Sequence, residues 1–504
     1  MASALFASGL SALESGDLAA AEQAFQRIVS ERPLDHAAWH ALAWTYLRAG
    51  RGEFALEAAQ RAHQGNRQNV DYMNTLGVAY GETGRLDLAE GTFRKVLKRS
   101  PVFVDGLINL AKALEKKGEL AEATRLYERA LALDPGYPRL AANLASAYRE
   151  HGAAARSRDV LQRHAARIDP EHLAVAHAAC DLALDGPAAA IRRLSAAVAA
   201  HPEWVLAHDA LAQELLAAGE WREGWKHYAS RHRLHGRRAG QRLEGQSVLL
   251  RGEQGIGDVL FFLRFLPLLR ARGVSARLAC EPKLHPILDG LVLDEPDAGG
   301  PGVWIGDLPM LLGCEDTPAA WPLQASDAQR ARARERLAAL GPAPYLAVTW
   351  RAGTDTARGS EFGPERMALS KQVPPGLLGG ALRGWPGTVI ALQRGARADD
   401  VAQFGQALGA RAHDLSFLAD DLPALLGLLG EIDEYVTVSN TNVHLLAGLG
   451  RTARVLLPWP VEWRWMRRDG ASPWFPGFAV YRQPPSRDWT SPLARLRQDL
   501  SCRG

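Results

Sequence analysis

The stretch VLLRGEQGIGDVLFFLRFLPLLRARG, residues 248–273, decides the fold class of the second half of the chain. A short apolar run, Val248–Leu250, leads into a turn, and an amphipathic helical pattern begins at Asp258. Three glycines punctuate the turn: Gly252, Gly255 and Gly257. A strand, a glycine-rich turn and a helix in this order begin an α/β unit in which backbone amides face an anionic ligand. The stretch therefore predicts an α/β domain with an anion-binding turn.

The composition is that of an ordinary globular protein. Hydrophobic residues make up 47% and charged residues 23% of the 504 positions, and the formal net charge is +3. A chain of this length divides into about three domains. So small a charge argues against a broad electrostatic surface for nucleic acid. The most apolar run, 259–269, is too short to span a bilayer and contains Arg264, so we expect no transmembrane segment.

Two further features indicate the compartment. The four cysteines are scattered without a Cys-x-x-Cys pair, which favours neither a zinc site nor a disulfide framework and is typical of a reducing environment. The N-terminal segment lacks a basic region followed by an apolar core, so we expect no signal peptide. Together these features predict a cytoplasmic protein.

Residues 1–232 repeat with a period near 34, the length of a tetratricopeptide helix-turn-helix unit. Small residues recur where the two helices of a unit approach each other: Ala43, Gly77, Ala111 and Ala145. Large residues recur where the gap to the next unit is filled: Phe25, Tyr80, Phe93 and Tyr127. Stacked units form an all-α superhelix with a concave inner face, which typically binds a peptide or a protein surface. A scaffold or a dimerisation platform is the alternative.

Three asparagines fall about one repeat apart and are candidates for acceptor binding: Asn74, Asn109 and Asn143. An asparagine ladder on an inner helix face would hydrogen-bond a bound peptide backbone. A capped or solvated helix face is the alternative explanation of the same spacing.

From about residue 245 short apolar runs alternate with helical segments. This pattern predicts a first Rossmann-like domain over 245–341 and a second over 344–485. A C-terminal helix at 486–504 is expected to pack back on the first α/β domain. Alternating strands and helices imply parallel sheets with ligands at the carboxyl ends of the strands. A cleft between two such domains is the preferred place for a small-molecule site.

The segment EYVTVSNTNVHLLAGLG, residues 434–450, places polar residues between a strand and a helix. Such residues cap helices, and a helix N-terminus carries a partial positive charge that favours a phosphate. The segment supplies four candidates for binding a diphosphate: Asn440, Thr441, Asn442 and His444. Plain helix capping, with a structural histidine, is the alternative.

Further candidates follow other strand ends. Arg351 and Thr354 come directly after an apolar run, and Lys371 precedes a helix, where it would reach a phosphate. Asp258 begins the helix after the glycine-rich turn and would serve as a general base toward an acceptor hydroxyl. The alternatives are a solvated lysine and a carboxylate that merely complements the helix dipole. No Asp-x-Asp pair or His/Asp cluster in the sequence indicates a metal site.

The quoted motifs resemble those of nucleotide-sugar glycosyltransferases of GT-B architecture. The likeness rests on EQGIGD (253–258), TWRAG (349–353) and SNTNVHLLAGLG (439–450), together with the Lys371 segment. PWPVEWRW, SPWFPGF and YRQPPSRDW add to it. The chain is similar to bacterial tetratricopeptide proteins whose C-terminal half resembles the heptosyltransferases and the O-GlcNAc transferases. The resemblance implies a tetratricopeptide superhelix followed by a GT-B pair of Rossmann-like domains.

The resemblance also implies roles for individual residues. Asp258 would be the catalytic base, and Lys371 would neutralise the leaving diphosphate. The helix start at 440–442 would hold the donor, with Gly255 and Gly257 near its phosphates, and His444 would lie near the donor sugar or phosphate. The sequence departs from the heptosyltransferase pattern at this helix start, where it has Asn-Thr-Asn-Val. Four tryptophans would stack on a base or sugar, or pack between the domains: Trp459, Trp463, Trp465 and Trp474.

These patterns lead to one main hypothesis and two alternatives. The main one is a metal-independent, inverting glycosyltransferase without a cofactor, which moves a sugar from a nucleotide sugar to a protein held by the repeats. The first alternative keeps the chemistry but uses a lipid-linked or polysaccharide precursor as acceptor. The second is a non-catalytic adaptor with a decayed transferase half.

Overall fold

The computed structural model describes residues 2–137, 139–234, 243, 247–253, 255–299, 302–352, 371–396, 398–467 and 470–501. Internal contacts divide the chain into two compact units, Met1–Asp169 and Pro170–Gly504. The division falls inside the predicted repeat region, because the later helix pairs pack with the α/β part of the chain. The domain boundaries expected from the sequence stay predictions.

The first unit consists of antiparallel helix pairs in which each helix also packs on the next pair. Its helices are α1 (Ala2–Ser15), α2 (Leu18–Glu31), α3 (His36–Arg48), α4 (Gly52–Gly65), α5 (Val70–Glu82), α6 (Leu86–Arg99), α7 (Val104–Lys117), α8 (Leu120–Leu133), α9 (Leu140–Glu150) and α10 (Ala154–Arg163). One fully buried alanine recurs in the second helix of successive pairs: Ala21, Ala55, Ala89 and Ala123. Gly77 lies against Phe93, where a Cβ atom would come within 2.5 Å of the ring.

A glycine in the left-handed region ends the first helix of each pair and allows the tight turn to the second. These glycines recur every 34 residues, with φ between 70° and 86°: Gly16, Gly50, Gly84, Gly118 and Gly152. The series continues into the second unit with Gly186, at φ 89°, and, one residue earlier than this spacing predicts, Gly219, at φ 90°.

The second unit begins with helices of the same kind. They are α11 (Pro170–Leu184), α12 (Pro187–Ala200), α13 (Val205–Ala218), α14 (Trp221–Tyr228) and the short α15 (Arg231–Leu234). Leu216 of α13 and Trp225 and Tyr228 of α14 belong to one apolar cluster with Phe261 and Trp474 of the α/β part. The last helix pair is therefore part of the α/β core.

The first sheet is parallel and has the strand order β3-β2-β1-β4 among the described residues. Its strands are β1 (Ser247–Arg251), β2 (Ser275–Ala279), β3 (Val292–Asp294) and β4 (Val303–Trp304). The helical pattern after the glycine-rich turn forms α16 (Ile256–Phe262), a 3-10 turn and α17 (Leu266–Ala271), because Pro267 starts a new helical segment. Two helices follow the last strand of this sheet: α18 (Leu308–Leu311) and α19 (Asp327–Leu340).

The second sheet is also parallel and has the order β10-β9-β8-β5-β6-β7 in the described part of the chain. Its strands are β5 (Tyr345–Thr349), β6 (Thr388–Ala391), β7 (Ala412–Asp414), β8 (Glu434–Val438), β9 (Arg454–Leu457) and β10 (Ala479–Arg482). Its helices are α20 (Pro375–Ala381), α21 (Ala398–Leu408), α22 (Leu422–Glu431), α23 (Thr441–Gly448) and α24 (Thr490–Ser501). Strand β9 is buried along its whole length, as in a sheet covered on both faces.

The C-terminal helix corrects one expectation. We expected 486–504 to pack back on the first α/β domain, but α24 packs on α20 and β10 of the second sheet. Leu493 and Leu496 join the apolar cluster of that sheet, and Tyr481 donates a hydrogen bond to Asp499 at 2.8 Å. The apolar face of α24 is therefore buried against the second sheet.

Among the described residues, no helix combines the length and the apolar character that crossing a membrane requires.

Candidate functional site

Each sheet has one point where the strand order reverses. In the first sheet the chain runs outward from β1 to β3 and returns on the other side of β1 as β4. In the second sheet it runs from β5 to β7 and returns beside β5 as β8. Ligands of parallel sheets bind at the carboxyl ends of the strands at such points. The glycine-rich turn follows β1, Arg351 follows β5 and Asn440 follows β8, so the predicted motifs lie at both reversal points.

Asp258 lies in the first turn of α16 and reaches the second α/β domain. Its Oδ2 accepts a hydrogen bond from the backbone N–H of Gly255 at 3.2 Å. Its Oδ1 accepts one from a guanidinium nitrogen of Arg464 at 2.5 Å. Arg464 belongs to the 3-10 turn Trp463–Trp465, which follows β9. The predicted base, which follows β1 of the first sheet, is thus paired with a residue that follows β9 of the second sheet.

The guanidinium of Arg464 is buried between two aromatic rings. Its centre lies 4.7 Å from the ring of Phe261 and 4.6 Å from that of Trp463. Burial alone would lower the pKa of Arg464, but the charges of Asp258 and Glu462 outweigh it and raise the pKa. Arg464 is therefore a buried residue that stays positively charged.

Lys371 forms an ion pair with Glu462. The Glu462 carboxylate also contacts two further side chains. Ser439 donates a hydrogen bond to Glu462 at 3.1 Å, and Arg464 lies 3.6 Å from the same oxygen. Burial raises the pKa of Glu462, but Lys371 and Arg464 lower it by more, so the carboxyl is held ionised. These contacts form a continuous chain of charges, Lys371–Glu462–Arg464–Asp258, which we call the ion chain.

The helix start at 440–442 makes hydrogen bonds within the protein. Asn440 caps α23, since its Oδ1 accepts from the backbone N–H of Asn442 at 3.0 Å, and its amide donates to Thr437 at 2.9 Å. The amide of Asn442 donates to the hydroxyl of Tyr435 at 2.7 Å. Both asparagines and Thr441 keep partial exposure. Helix capping accounts for Asn440, and the assignment of this segment to a diphosphate stays a prediction.

His444 and Gly257 bring the two predicted motifs into contact. A Cβ atom on Gly257 would lie 3.2 Å from the His444 ring and 3.5 Å from the Cα of Thr441, so a side chain at 257 would crowd α23. The ring of His444 lies 5.9 Å from that of Phe261 and 5.4 Å from that of Phe475. Burial lowers the pKa of His444 well below its usual range, and the charges of Arg464, Arg264 and Lys371 lower it further. The imidazole is therefore neutral at neutral pH.

Arg351 is fixed next to Lys371. Its backbone N–H donates to Gln393 at 2.8 Å and its guanidinium donates to the carbonyl of Gly395 at 2.9 Å. Arg351 and Gln372 form an antiparallel bridge, and the backbone N–H of Ala352 donates to the carbonyl of Lys371 at 2.9 Å. The pairing joins the two ends of the segment 353–370. Thr354, a predicted donor contact, lies outside the described residues.

The asparagine ladder lies on the first helices of three successive pairs. The amide of Asn109 donates to the side-chain carbonyl of Asn74 at 3.1 Å, and Asn74 is only 5% exposed. Asn109 and Asn143 are half-buried. Asn74 therefore links two repeats, which leaves Asn109 and Asn143 as the more accessible members of the predicted acceptor site.

Sequence reasoning missed Glu462 and Arg464 as site residues. Both occur in PWPVEWRW, where attention went to the tryptophans. Trp463 and Trp474 pack edge to face on Trp225, and Trp465 stacks on Phe475 with ring centres 4.4 Å apart. The alternation of acidic and basic residues among aromatic ones was the available signal, because charges in such a segment need partners when buried.

Within the described residues, no group of three or more His, Cys, Asp or Glu side chains is arranged to hold a metal ion.

Comparison with known proteins bears on the N-terminal half. Tetratricopeptide-repeat family models match residues 6–70 and 74–138, and another matches 114–174. The N-terminal helices are tetratricopeptide repeats. They form an all-α superhelix, and the chain continues into parallel sheets covered by helices, an α/β arrangement.

One curated relative extends the match along the chain. Protein FlbA of Caulobacter vibrioides is 26% identical over 384 residues, which cover 66% of this chain. The chain spans about 60% of the length of FlbA.

Three solved structures each resemble part of the chain. The Cut9–Hcn1 hetero-tetramer of the APC/C is 22% identical with a TM-score of 0.38, and the match covers 42% of each chain. PilW, a type IV pilus biogenesis factor, is 18% identical with a TM-score of 0.37 over 40% of this chain and 94% of PilW. A thermophilic TPR protein from Thermus thermophilus is 20% identical with a TM-score of 0.30, over 36% of this chain and 99% of its own.

Proposed function

We propose that this protein is a metal-independent, inverting glycosyltransferase that moves a sugar from a nucleotide sugar to a protein acceptor bound by the repeats. The observation that carries the proposal is the ion pair between Asp258 and Arg464. This pair brings the end of β1 and the segment after β9 together, so a carboxylate from one α/β domain faces cationic groups of the other.

The proposed reaction needs a base and an anion site. Asp258 would take the proton of the acceptor hydroxyl while that oxygen forms a bond to the anomeric carbon of the donor sugar. The bond between that carbon and the diphosphate oxygen would break, and the nucleoside diphosphate would leave with the bonding electron pair. Lys371 and Arg464 are the cations that would stabilise the charge that develops on the diphosphate. Neutral His444 would accept or donate a hydrogen bond near the donor.

The acceptor is the less constrained part of the proposal. Tetratricopeptide repeats generally bind protein surfaces, which favours a protein acceptor. The half-buried Asn109 and Asn143 would then contact it. Transfer to a lipid-linked or polysaccharide precursor would use the same cleft without the repeats. If the protein were a non-catalytic adaptor, the ion chain would bind no nucleotide sugar.

Replacing Asp258 by asparagine tests the catalytic assignment. Because an amide cannot accept the acceptor proton, Asp258→Asn should lower kcat by about 10²–10⁴-fold without weakening nucleotide binding. The measurement is transfer of labelled sugar from a panel of nucleotide sugars to proteins of the source cell. Asp289→Asn, at an exposed position of the same domain, is the matched control. Turnover of Asp258→Asn at the wild-type rate would remove Asp258 as the base.

A further inference from the structure

The two cations that the proposed function assigns to the diphosphate already face an anion that belongs to the protein. The carboxylate of Glu462 contacts Lys371, lies 3.6 Å from Arg464 and accepts a hydrogen bond from Ser439. Its side chain is only 7% exposed. Lys371 and Arg464 are the groups that the proposed function assigns to the leaving diphosphate, so Glu462 occupies the place of the ligand.

We propose that Glu462 is an internal substitute for the diphosphate, which the donor displaces from Lys371, and that this exchange loosens Asp258 for catalysis. The inference rests on the proposed function for the identity of the anion. It makes Glu462 a positioning residue, since it acts through Lys371 and Arg464 rather than on the reacting atoms.

The need to pair buried charges drives the exchange. A carboxylate with so little exposure cannot stay without a counter-ion, because removing one partner of a buried pair costs several kcal/mol. Once phosphate oxygens hold Lys371, Glu462 turns to Arg464, which lies 3.6 Å away. Arg464 would then be shared between the diphosphate, Glu462 and Asp258, so its contact with Asp258 weakens.

The consequence for the reaction is an order of events. In the free protein Asp258 is held by Arg464 at 2.5 Å, which restricts its rotation toward an acceptor hydroxyl. Donor binding weakens that contact through Glu462, so the base becomes available only after the donor is in place. The arrangement predicts that donor binds before acceptor.

Pyrophosphate binding to the full-length protein tests the exchange. Titration calorimetry with inorganic pyrophosphate is done on wild type, Glu462→Gln and Lys371→Ala. Because glutamine removes the competing charge but keeps the size, Glu462→Gln should bind pyrophosphate about tenfold more tightly than wild type. Lys371→Ala should lose most of the binding. Equal or weaker binding by a folded Glu462→Gln would overturn the proposal.

Two further variants guard against structural effects. Glu434→Gln is the matched control, because Glu434 pairs with Arg454 at 3.0 Å in the same sheet, and it should leave the affinity unchanged. Ser439→Ala removes a hydrogen bond from Glu462 without a change of charge and should tighten binding about twofold, within the range of one neutral hydrogen bond. If Glu462→Gln does not fold, this variant decides, and unchanged affinity contradicts the proposal.

The experiment separates this inference from the proposed function. Tighter pyrophosphate binding by Glu462→Gln without sugar transfer by wild type would support the exchange and reject the transferase. Sugar transfer by wild type without tighter pyrophosphate binding by Glu462→Gln would support the transferase and reject the exchange. Where transfer occurs, Glu462→Gln should lower the KM for the donor and also lower kcat. A purely structural role for Glu462 would not lower the KM.

Discussion

The helix pair α5/α6 of the first unit and the pair α13/α14 of the second share one local design and differ in what they pack against. Both turn at a left-handed glycine, Gly84 and Gly219. In α5/α6 the small Ala89 and the ring of Phe93 pack on α5 within the pair, and the pair contacts only the neighbouring repeat helices α3, α4 and α7 among the stronger helix contacts of the described residues. In α13/α14 large side chains, led by Trp225, enter the core of the α/β domains. The same repeat pattern can therefore form either an array or part of another domain.

The pair α13/α14 also contacts the segment that carries the candidate site residues Glu462 and Arg464. Arg467 forms a buried ion pair with Glu214 of α13 at 2.5 Å, and its backbone N–H donates to the carbonyl of Ala217 at 3.0 Å. Arg467 comes three residues after Arg464. Helix α13 thus fixes the segment that carries both Glu462 and Arg464. We infer that the last repeat helices belong to the functional half.

Truncation gives the largest effect expected from this difference. Removing 1–169 should leave a unit with a cooperative thermal transition, since its internal contacts are its own. Removing 1–234 should abolish that transition, because it deletes Trp225 and Tyr228, which are 2% and 4% exposed. Circular dichroism on heating checks both. A cooperative transition of the shorter fragment would contradict the assignment of α13–α15 to the α/β core.

A second prediction compares one ion pair from each unit. Arg231 of α15 binds Glu253 at 2.5 Å and Asp307 at 2.7 Å, and all three side chains are at most 2% exposed. Arg231→Met leaves two buried carboxylates with less compensation and should lower the free energy of unfolding by about 3–5 kcal/mol. The exposed pair Arg85–Glu53 is the counterpart.

Arg85→Met should cost at most about 1 kcal/mol, because solvent screens an exposed pair. Urea denaturation of both variants, followed by a signal from the unit that carries each change, gives the two values. If both variants lost a similar free energy of unfolding, the buried cluster of Arg231, Glu253 and Asp307 would not stabilise the second unit more than an exposed ion pair does.

The sequence was most informative where patterns repeat or where apolar runs are continuous. Small and large residues at fixed spacing predicted the repeats, and the alternation of apolar runs with helical segments predicted the parallel sheets. The strands β3, β7 and β10 are short and only partly buried, so none of them leaves a clear apolar run in the sequence. The position of α24 was predicted wrongly because an amphipathic helix shows which face is buried but not against which partner.

The sequence offered candidate site residues but not the contacts between them. Asp258, Lys371 and the start of α23 were chosen because each follows a strand or precedes a helix, and their roles stay predictions. The partner of Asp258 was not, since Arg464 lies 206 positions further along the chain. Nothing in local periodicity reports a contact across a cleft. The same limit applies to Glu462, whose role depends on two cations from different segments.

The measurement that tests the central claim most directly is thermal stabilisation of the full-length protein by a panel of nucleotides and nucleotide sugars. A ligand that binds the folded state raises Tm according to its concentration and affinity. The account predicts that one nucleotide family raises the Tm of wild type and that Lys371→Ala loses this shift. No shift with any ligand, for a wild-type sample that melts cooperatively, would contradict the nucleotide-sugar site and favour the adaptor.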